Sequence, residues 1–194
     1  MLILLDRDGV LNEDRADHVK NPDELIMIPC AAEAVARFNA RGHKVALVSN
    51  QSGLGRGLYN EAMLARIQEK LEAAVRAARG HLDATFICPD PPWAATDRRK
   101  PGPGMLREAM SQFRVPPEET VMIGDALRDL EAAAKAGVQR ILVRTGKGAA
   151  TQGAGLPAHV LPVKVCTDLW DVADLLLGKV APETEAGDET DEKG

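Results

Sequence analysis

Short runs of consecutive apolar residues recur along the chain, each closed by a polar or glycine-containing turn: Leu2–Leu5, Val45–Val48, Ala84–Ile87, Val121–Ile123 and Ile141–Val143. Between them lie longer segments with helical spacing. Ala31–Ala40 sets Ala34, Val35 and Phe38 on one face and stops at Arg41-Gly42. Asn60–Arg79 carries Met63, Leu64, Ile67, Leu71 and Val75 as one stripe. Met105–Phe113 and Leu127–Ala136 are shorter versions, the second closed by Gly137, and Asp168–Leu177 reads as a final helix. Strands without a polar face must be covered on both sides, which is the condition of a parallel sheet between helices. The pattern therefore predicts an α/β protein built on a single Rossmann-like parallel sheet flanked by helices. Its site is expected where the strands end at their carboxyl edge. Leu156–Val165, interrupted by Pro157 and Pro162, reads as a loop with a short edge strand. Residues 179–194 hold no large apolar residue after Val180 and are expected to form an acidic disordered tail, leaving one domain over 1–178.

Charge sharpens this division. The 194 residues carry a net charge of −5, and residues 181–194 alone hold six acids against one lysine. The body is thus neutral overall, with no basic field to hold nucleic acid or an anionic membrane. Aromatic residues make up 3% of the chain, too few for a base-stacking platform. Cys30, Cys88 and Cys166 are an odd and widely spaced set rather than a disulfide framework. The opening apolar run ends at Leu5 with no basic residue before it, unlike a signal peptide, and no later stretch has the length of a membrane span. A cytoplasmic, monomeric protein with a small-molecule partner is expected.

The chemistry lies in the residues immediately after each apolar run. After the first comes Asp6-Arg7-Asp8-Gly9-Val10, and after the second Ser49-Asn50-Gln51-Ser52-Gly53. The third leads through a loop to Arg99-Lys100-Pro101, and the fourth into Gly124-Asp125 with Asp129 beyond. In a parallel sheet these places share one edge, so carboxylates, a hydroxyl and an ammonium converge. A carboxylate can attack phosphorus to give an acyl phosphate that water hydrolyses. Mg²⁺, which favours hard carboxylate oxygens, would separate the two anions. A lysine and a hydroxyl suit the remaining phosphoryl oxygens, and a second acid suits proton transfer. Taken singly, each piece also reads as a turn former, a helix cap or a solvated side chain. A phosphoacceptor signalling domain of the receiver kind assembles a similar set, and that reading stays open. Gly53-Leu54-Gly55-Arg56-Gly57 has the wrong spacing for a dinucleotide site, and Gly146-Lys147-Gly148, lacking the Walker spacing, is expected to be a mobile surface loop.

Asp6-Arg7-Asp8-Gly9-Val10 resembles the DxDG(T/V) signature of the haloacid dehalogenase superfamily of phosphohydrolases. Ser49, Lys100 and the group Gly124-Asp125 with Asp129 match its second, third and fourth motifs in order. Asn12, the run SNQSG and RKPGPGM from Arg99 to Met105 are similar to a narrower branch. That branch contains heptose bisphosphate 7-phosphatases and the phosphatase domain of histidinol-phosphate phosphatase. The resemblance implies the haloacid dehalogenase fold and a Mg²⁺-dependent sugar-phosphate phosphatase. The heptose 1,7-bisphosphate reaction, feeding nucleotide-activated heptose for lipopolysaccharide core, leads over histidinol phosphate. It further implies Asp6 as nucleophile and Asp8 as general acid/base. Asp6, the backbone carbonyl of Asp8, and Asp125 would hold Mg²⁺. Ser49 and Lys100 would stabilise the transferring phosphoryl group, with Asn50, Gln51 and Ser52 lining the pocket. Arg99 would recognise substrate, and the loop Asp14, Arg15, Ala16, Asp17 and His18 would contact it.

Three departures stand out. His18 replaces a usual aromatic residue, and Ala126 stands where some members carry a substrate-contacting lysine. Many relatives also carry four zinc ligands before Arg-Lys, but here those places read Cys88, Asp90, Thr96 and Arg98, so no structural zinc is expected. Between Asp8 and Ser49 lie 40 residues, and between Ser49 and Lys100 lie 50, each already used by regular elements. No separate cap domain fits, and specificity falls to the Asp14–Lys20, Leu54–Tyr59 and Pro89–Arg99 segments.

Overall fold

The computed structural model describes residues 1–179, so all but the first residue of the expected tail lies outside the described residues. The strands are β1 (Leu2–Leu5), β2 (Lys44–Asn50), β3 (Ala84–Cys88), β4 (Thr120–Gly124), β5 (Gln139–Val143) and β6 (Lys164–Cys166). The helices are α1 (Ala31–Ala40), α2 (Ser52–Gly55), α3 (Glu61–Ala77), α4 (Gly104–Phe113), α5 (Leu127–Ala136), α6 (Gly148–Gly153) and α7 (Leu169–Leu177). All strand pairs are parallel, in the order β3-β2-β1-β4-β5-β6. β6 is the short edge strand expected near Pro162. The short helices α2 and α6 lack an apolar stripe, which is why periodicity did not reveal them.

Alternation along each strand divides the core. Ile3, Leu5, Val45, Leu47, Val121 and Ile123 face α1, α3 and α7, while Leu2, Leu4, Ala46, Val48 and Met122 face α4 and α5. Helix ends follow local chemistry. The Asn60 side chain accepts from Met63 N at 2.9 Å, opening α3, and Asp168 accepts from Asp171 N at 2.9 Å, opening α7. Gly137, at φ +74°, closes α5.

The sheet order reverses at β1, whose neighbours are β2 and β4. Leu5 is level with Leu47 on one side and Ile123 on the other. Asp6, Ser49 and Asp125 therefore fall within one residue of the same level, at the sheet's topological switch point.

At the opposite edge, Asp83 accepts from Val45 N at 2.9 Å and from Lys44 Nζ at 2.8 Å. Burial pushes this carboxyl up, but Lys44 and the Val45 N–H outweigh it and hold the group below its ordinary value. A carboxylate lowered in the fold stabilises above its unfolded pKa and loses that contribution as pH falls through the lowered value. Asp83→Ala is expected to cost about 1–3 kcal/mol near neutral pH. Urea unfolding of both proteins should show the gap narrowing as the pH falls below the ordinary carboxylate range.

Candidate active site

Asp6 follows β1, its backbone N–H donating to Ile123 O at 3.0 Å, which ties the β1 loop to β4. Its carboxylate is buried, accepts from Arg7 N at 2.7 Å and lies 3.1 Å from Lys100 Nζ. Lys100 is 1% exposed and pairs on its other side with Asp129 at 2.7 Å. Asn50 clasps the backbone of Lys100, donating to its carbonyl at 2.8 Å and accepting from its N–H at 3.0 Å. That amide fixes the end of β2 against the Lys100 loop.

The charges order themselves by neighbour. Burial pushes the Asp6 carboxyl up, yet Lys100 and Arg128 bring it below its ordinary value, so it is ionised. Burial would lower Lys100, but Asp129 and Asp6 hold its ammonium above the ordinary value. Asp125 has no such partner. Burial, with Asp6 and Asp129 beside it, pushes its carboxyl up to about 7. Its Oδ2 accepts from Lys147 N at 2.8 Å, while its Oδ1 is buried without a hydrogen-bond partner.

Ligand oxygens of Asp6, Asp125 and Asp129 lie within 4.8 Å of one another. Asp129 is already committed, to Lys100 and, through Oδ2, to Ala126 N at 3.0 Å. On Asp6 both contacts, from Arg7 N and Lys100, fall on Oδ1, so Asp6 and Asp125 remain as the pair open to a cation. An orphaned buried carboxylate oxygen facing a second carboxylate fits a hard divalent ion such as Mg²⁺.

Asp8 is gripped from three sides. Arg7 Nη2 donates to both its oxygens, at 3.0 and 3.1 Å, Asn12 Nδ2 to Oδ1 at 2.9 Å, and Gln51 Nε2 to Oδ2 at 2.9 Å. Arg7 itself is 1% exposed, an unusual place for a guanidinium and one justified by this carboxylate. Gln51 also donates to Ser49 Oγ at 2.9 Å. Its amide, expected to line the pocket, is thus engaged with the protein, and Ser52 is buried beside it.

The loop of Gly146-Lys147-Gly148 is exposed at Gly146 and Lys147, as expected of a surface segment, and its backbone packs against the site. Thr145 Oγ1 donates to Gly9 O at 2.6 Å, Lys147 N donates to Asp125, and Lys147 Nζ pairs with Asp14 at 2.7 Å. A Cβ on Gly9 (φ +82°) or Gly146 (φ +56°) would overlap Asp125 Oδ2. Both backbones pass against that carboxylate, and only glycine allows it.

The expected substrate loop splits. Asp14 turns to Lys147, and His18 (φ +66°) lies within electrostatic reach of Asp8, Asp14 and Arg56. Arg15 and Asp17 are exposed and pair with each other at 3.1 Å, and Ala16 is exposed between them. Arg99 donates to Asp90 O at 2.7 Å, and Arg56 stacks over Trp93 at 5.2 Å. The four places of the zinc loop do other work: Asp90 accepts from Thr96 N at 2.9 Å, and Arg98 pairs with Glu108 at 2.8 Å. Cys88 is buried at the end of β3.

Reading residue by residue missed Arg7, Arg128 and Tyr59. Arg128 lies within electrostatic reach of Asp129, Asp6, Asp125 and Asp14, and its Nε is buried without a partner. A basic residue between the two acids of the fourth motif was the available signal. Among the described residues no helix is long and apolar enough to cross a membrane.

A family model described as HAD-hydrolase-like matches residues 97–172. The chain is 45% identical over 178 residues to D-glycero-beta-D-manno-heptose-1,7-bisphosphate 7-phosphatase of Bordetella bronchiseptica, covering 91% of this chain and 97% of that protein. The enzyme of the same name from Pseudomonas aeruginosa is 42% identical over 176 residues, covering 91% and 97%. A crystal structure of D,D-heptose 1,7-bisphosphate phosphatase from B. bronchiseptica, complexed with magnesium and phosphate, superposes with a TM-score of 0.87 at 43% identity, covering 92% of this chain and 99% of that one. The parallel sheet, the converged acids and lysine, and these likenesses over nearly the whole of each relative place the chain in one group: it belongs to the heptose-bisphosphate phosphatase family of haloacid dehalogenase-like hydrolases.

Proposed function

We propose that this protein is a Mg²⁺-dependent phosphatase that removes the 7-phosphate of D-glycero-D-manno-heptose 1,7-bisphosphate through an aspartyl-phosphate intermediate. The beta anomer is the one in its relatives' names. The product would enter nucleotide-activated heptose and lipopolysaccharide core synthesis. The observation that carries this reading is the buried Asp6, held 3.1 Å from the Lys100 ammonium beside Asp125, whose Oδ1 has no hydrogen-bond partner.

Asp6 attacks phosphorus, and the new Asp6–phosphorus bond forms as the ester bond breaks. A proton passes from the Asp8 carboxyl to the departing oxygen, which leaves as the sugar hydroxyl. Water then attacks the phosphorus of the aspartyl phosphate, giving a proton to Asp8, and the Asp6 carboxylate and inorganic phosphate are released. Ser49 and Lys100 hold the equatorial phosphoryl oxygens through both steps. Asp6, the Asp8 backbone carbonyl and Asp125 would hold Mg²⁺, which supplies the positive charge between nucleophile and phosphoryl oxygens. Arg56 and Arg128 lie within electrostatic reach of Arg99, and the three would favour a second anionic group on the substrate.

We read residues 1–178 as one capless catalytic domain, acting as a cytoplasmic monomer. Three free cysteines support a reducing compartment, and few large apolar side chains are exposed among the described residues.

Phosphate release from heptose 1,7-bisphosphate and from histidinol phosphate, measured side by side with Mg²⁺, tests the reading. The bisphosphate should be strongly preferred. A preference for histidinol phosphate would keep the chemistry and remove the substrate assignment. A long-lived phosphoenzyme without phosphate release would point to a signalling domain. Chelation is expected to abolish turnover, and restored Mg²⁺ to raise the melting temperature by neutralising the carboxylates around Asp125.

A further inference from the structure

Tyr59 is the chain's single tyrosine, and it is 8% exposed. Its hydroxyl donates to Gln51 Oε1 at 3.0 Å. With the carbonyl end of that amide occupied, Gln51 Nε2 directs its two protons to Asp8 Oδ2 and Ser49 Oγ, each at 2.9 Å. One buried nitrogen thus links the carboxylate of the β1 loop to the hydroxyl at the end of β2. Arg7 and Asn12 also grip Asp8, but both belong to its own loop, so Gln51 is its tie to β2.

The seat of the ring is specific. A Cβ on Gly53 would stand 2.5 Å from Tyr59 Cε1, so glycine lets the ring lie against the backbone of α2. Burial pushes the phenol above its ordinary value, and it remains a donor at neutral pH. Once Asp8 has given up its proton, the reversed amide would set Gln51 Oε1 against the Asp8 carboxylate, two acceptors with no proton between them. The Tyr59 hydroxyl stabilises the orientation that avoids this.

We propose that Tyr59 is a positioning residue, which acts through the Gln51 amide to fix Asp8 against Ser49 during phosphoryl transfer. This rests on Asp8 as proton donor and Ser49 as phosphoryl-binding group in the proposed mechanism. The consequence depends on the leaving group. A sugar alkoxide leaves only with the proton from Asp8, whereas p-nitrophenolate departs without it.

Tyr59→Phe keeps the ring and removes only the hydroxyl. Its kcat on heptose 1,7-bisphosphate is expected to fall about tenfold with KM held within about twofold. First-turnover release of p-nitrophenolate from p-nitrophenyl phosphate should fall by less than about twofold. Gln51→Met, which deletes both amide donors, should lower kcat at least as far, and adding Tyr59→Phe to it should lower kcat no further. Equal losses on both esters, an unchanged kcat in Tyr59→Phe, or losses that multiply in the double variant would overturn the proposal. The wild-type protein keeps the two questions apart. If it leaves the heptose ester intact but hydrolyses fructose 1,6-bisphosphate, the substrate reading fails, and the same variant ratio is read on that alkyl ester.

Discussion

Asp6→Asn is expected to reduce phosphate release by at least about 10⁴-fold, because an amide cannot form the covalent intermediate and the rest of the site cannot replace it. The fold should survive. Asp6 shares the Lys100 ammonium with Asp129, 2.7 Å away on the other side, so the lysine keeps a buried counter-charge when one carboxylate is neutralised. The variant also retains the Arg7 N–H contact, since an amide oxygen accepts as a carboxylate does. Unfolding stability within about 1 kcal/mol of wild type, together with lost turnover, is the expected pair of results. Retained activity would remove Asp6 from its assigned role.

Lys100→Met should damage both activity and stability. Lys100 is the ammonium between Asp6 and Asp129, and all three groups are buried. Without it, Asp6, Asp125 and Asp129 face one another with no lysine among them. Breaking a buried ion network from one side costs about 3–5 kcal/mol, because the partners stay buried and uncompensated. Turnover should fall about 10²–10³-fold from the lost charge on the transferring group. Urea unfolding and steady-state kinetics of the same preparation separate the two losses. Mg²⁺ should recover part of the stability, by restoring positive charge, and little of the activity. Lys100→Arg should not rescue, since a wider planar head does not fit a fully enclosed ammonium seat. Near-normal stability in Lys100→Met would mean that the lysine does not neutralise the cluster.

The sheet and the converging motif residues were legible because their signals are local. Leu2–Leu5 needs both faces covered, and the residues after it must leave at the carboxyl edge, so the apolar runs bring Asp6, Ser49 and Asp125 together, while Lys100, beyond a loop after β3, is held there by Asn50. The supports of those residues were less legible, because each comes from a distant stretch with no spacing of its own. Lys147 touches Asp125 through a backbone N–H, which any residue type but proline would supply. Its glycine neighbours therefore read as a surface loop. Gln51 was placed in the pocket by resemblance, and only its partner Tyr59, eight residues on, shows why its amide turns inward. Arg7, an expected surface residue by type, is buried because Asp8 and Asn12 form its seat.

The identity of the nucleophile is most directly read by chemical trapping during turnover. Borohydride converts an aspartyl phosphate to homoserine. Trypsin then cuts after Arg7, so Asp6 falls in the peptide Met1–Arg7, where it is the only acidic side chain, and Asp8 in Asp8–Arg15. Quenching with borohydride under saturating heptose 1,7-bisphosphate and Mg²⁺ should place homoserine at position 6 and leave the second peptide unchanged. Homoserine at position 8, or in neither peptide while phosphate is being released, would contradict covalent catalysis by Asp6.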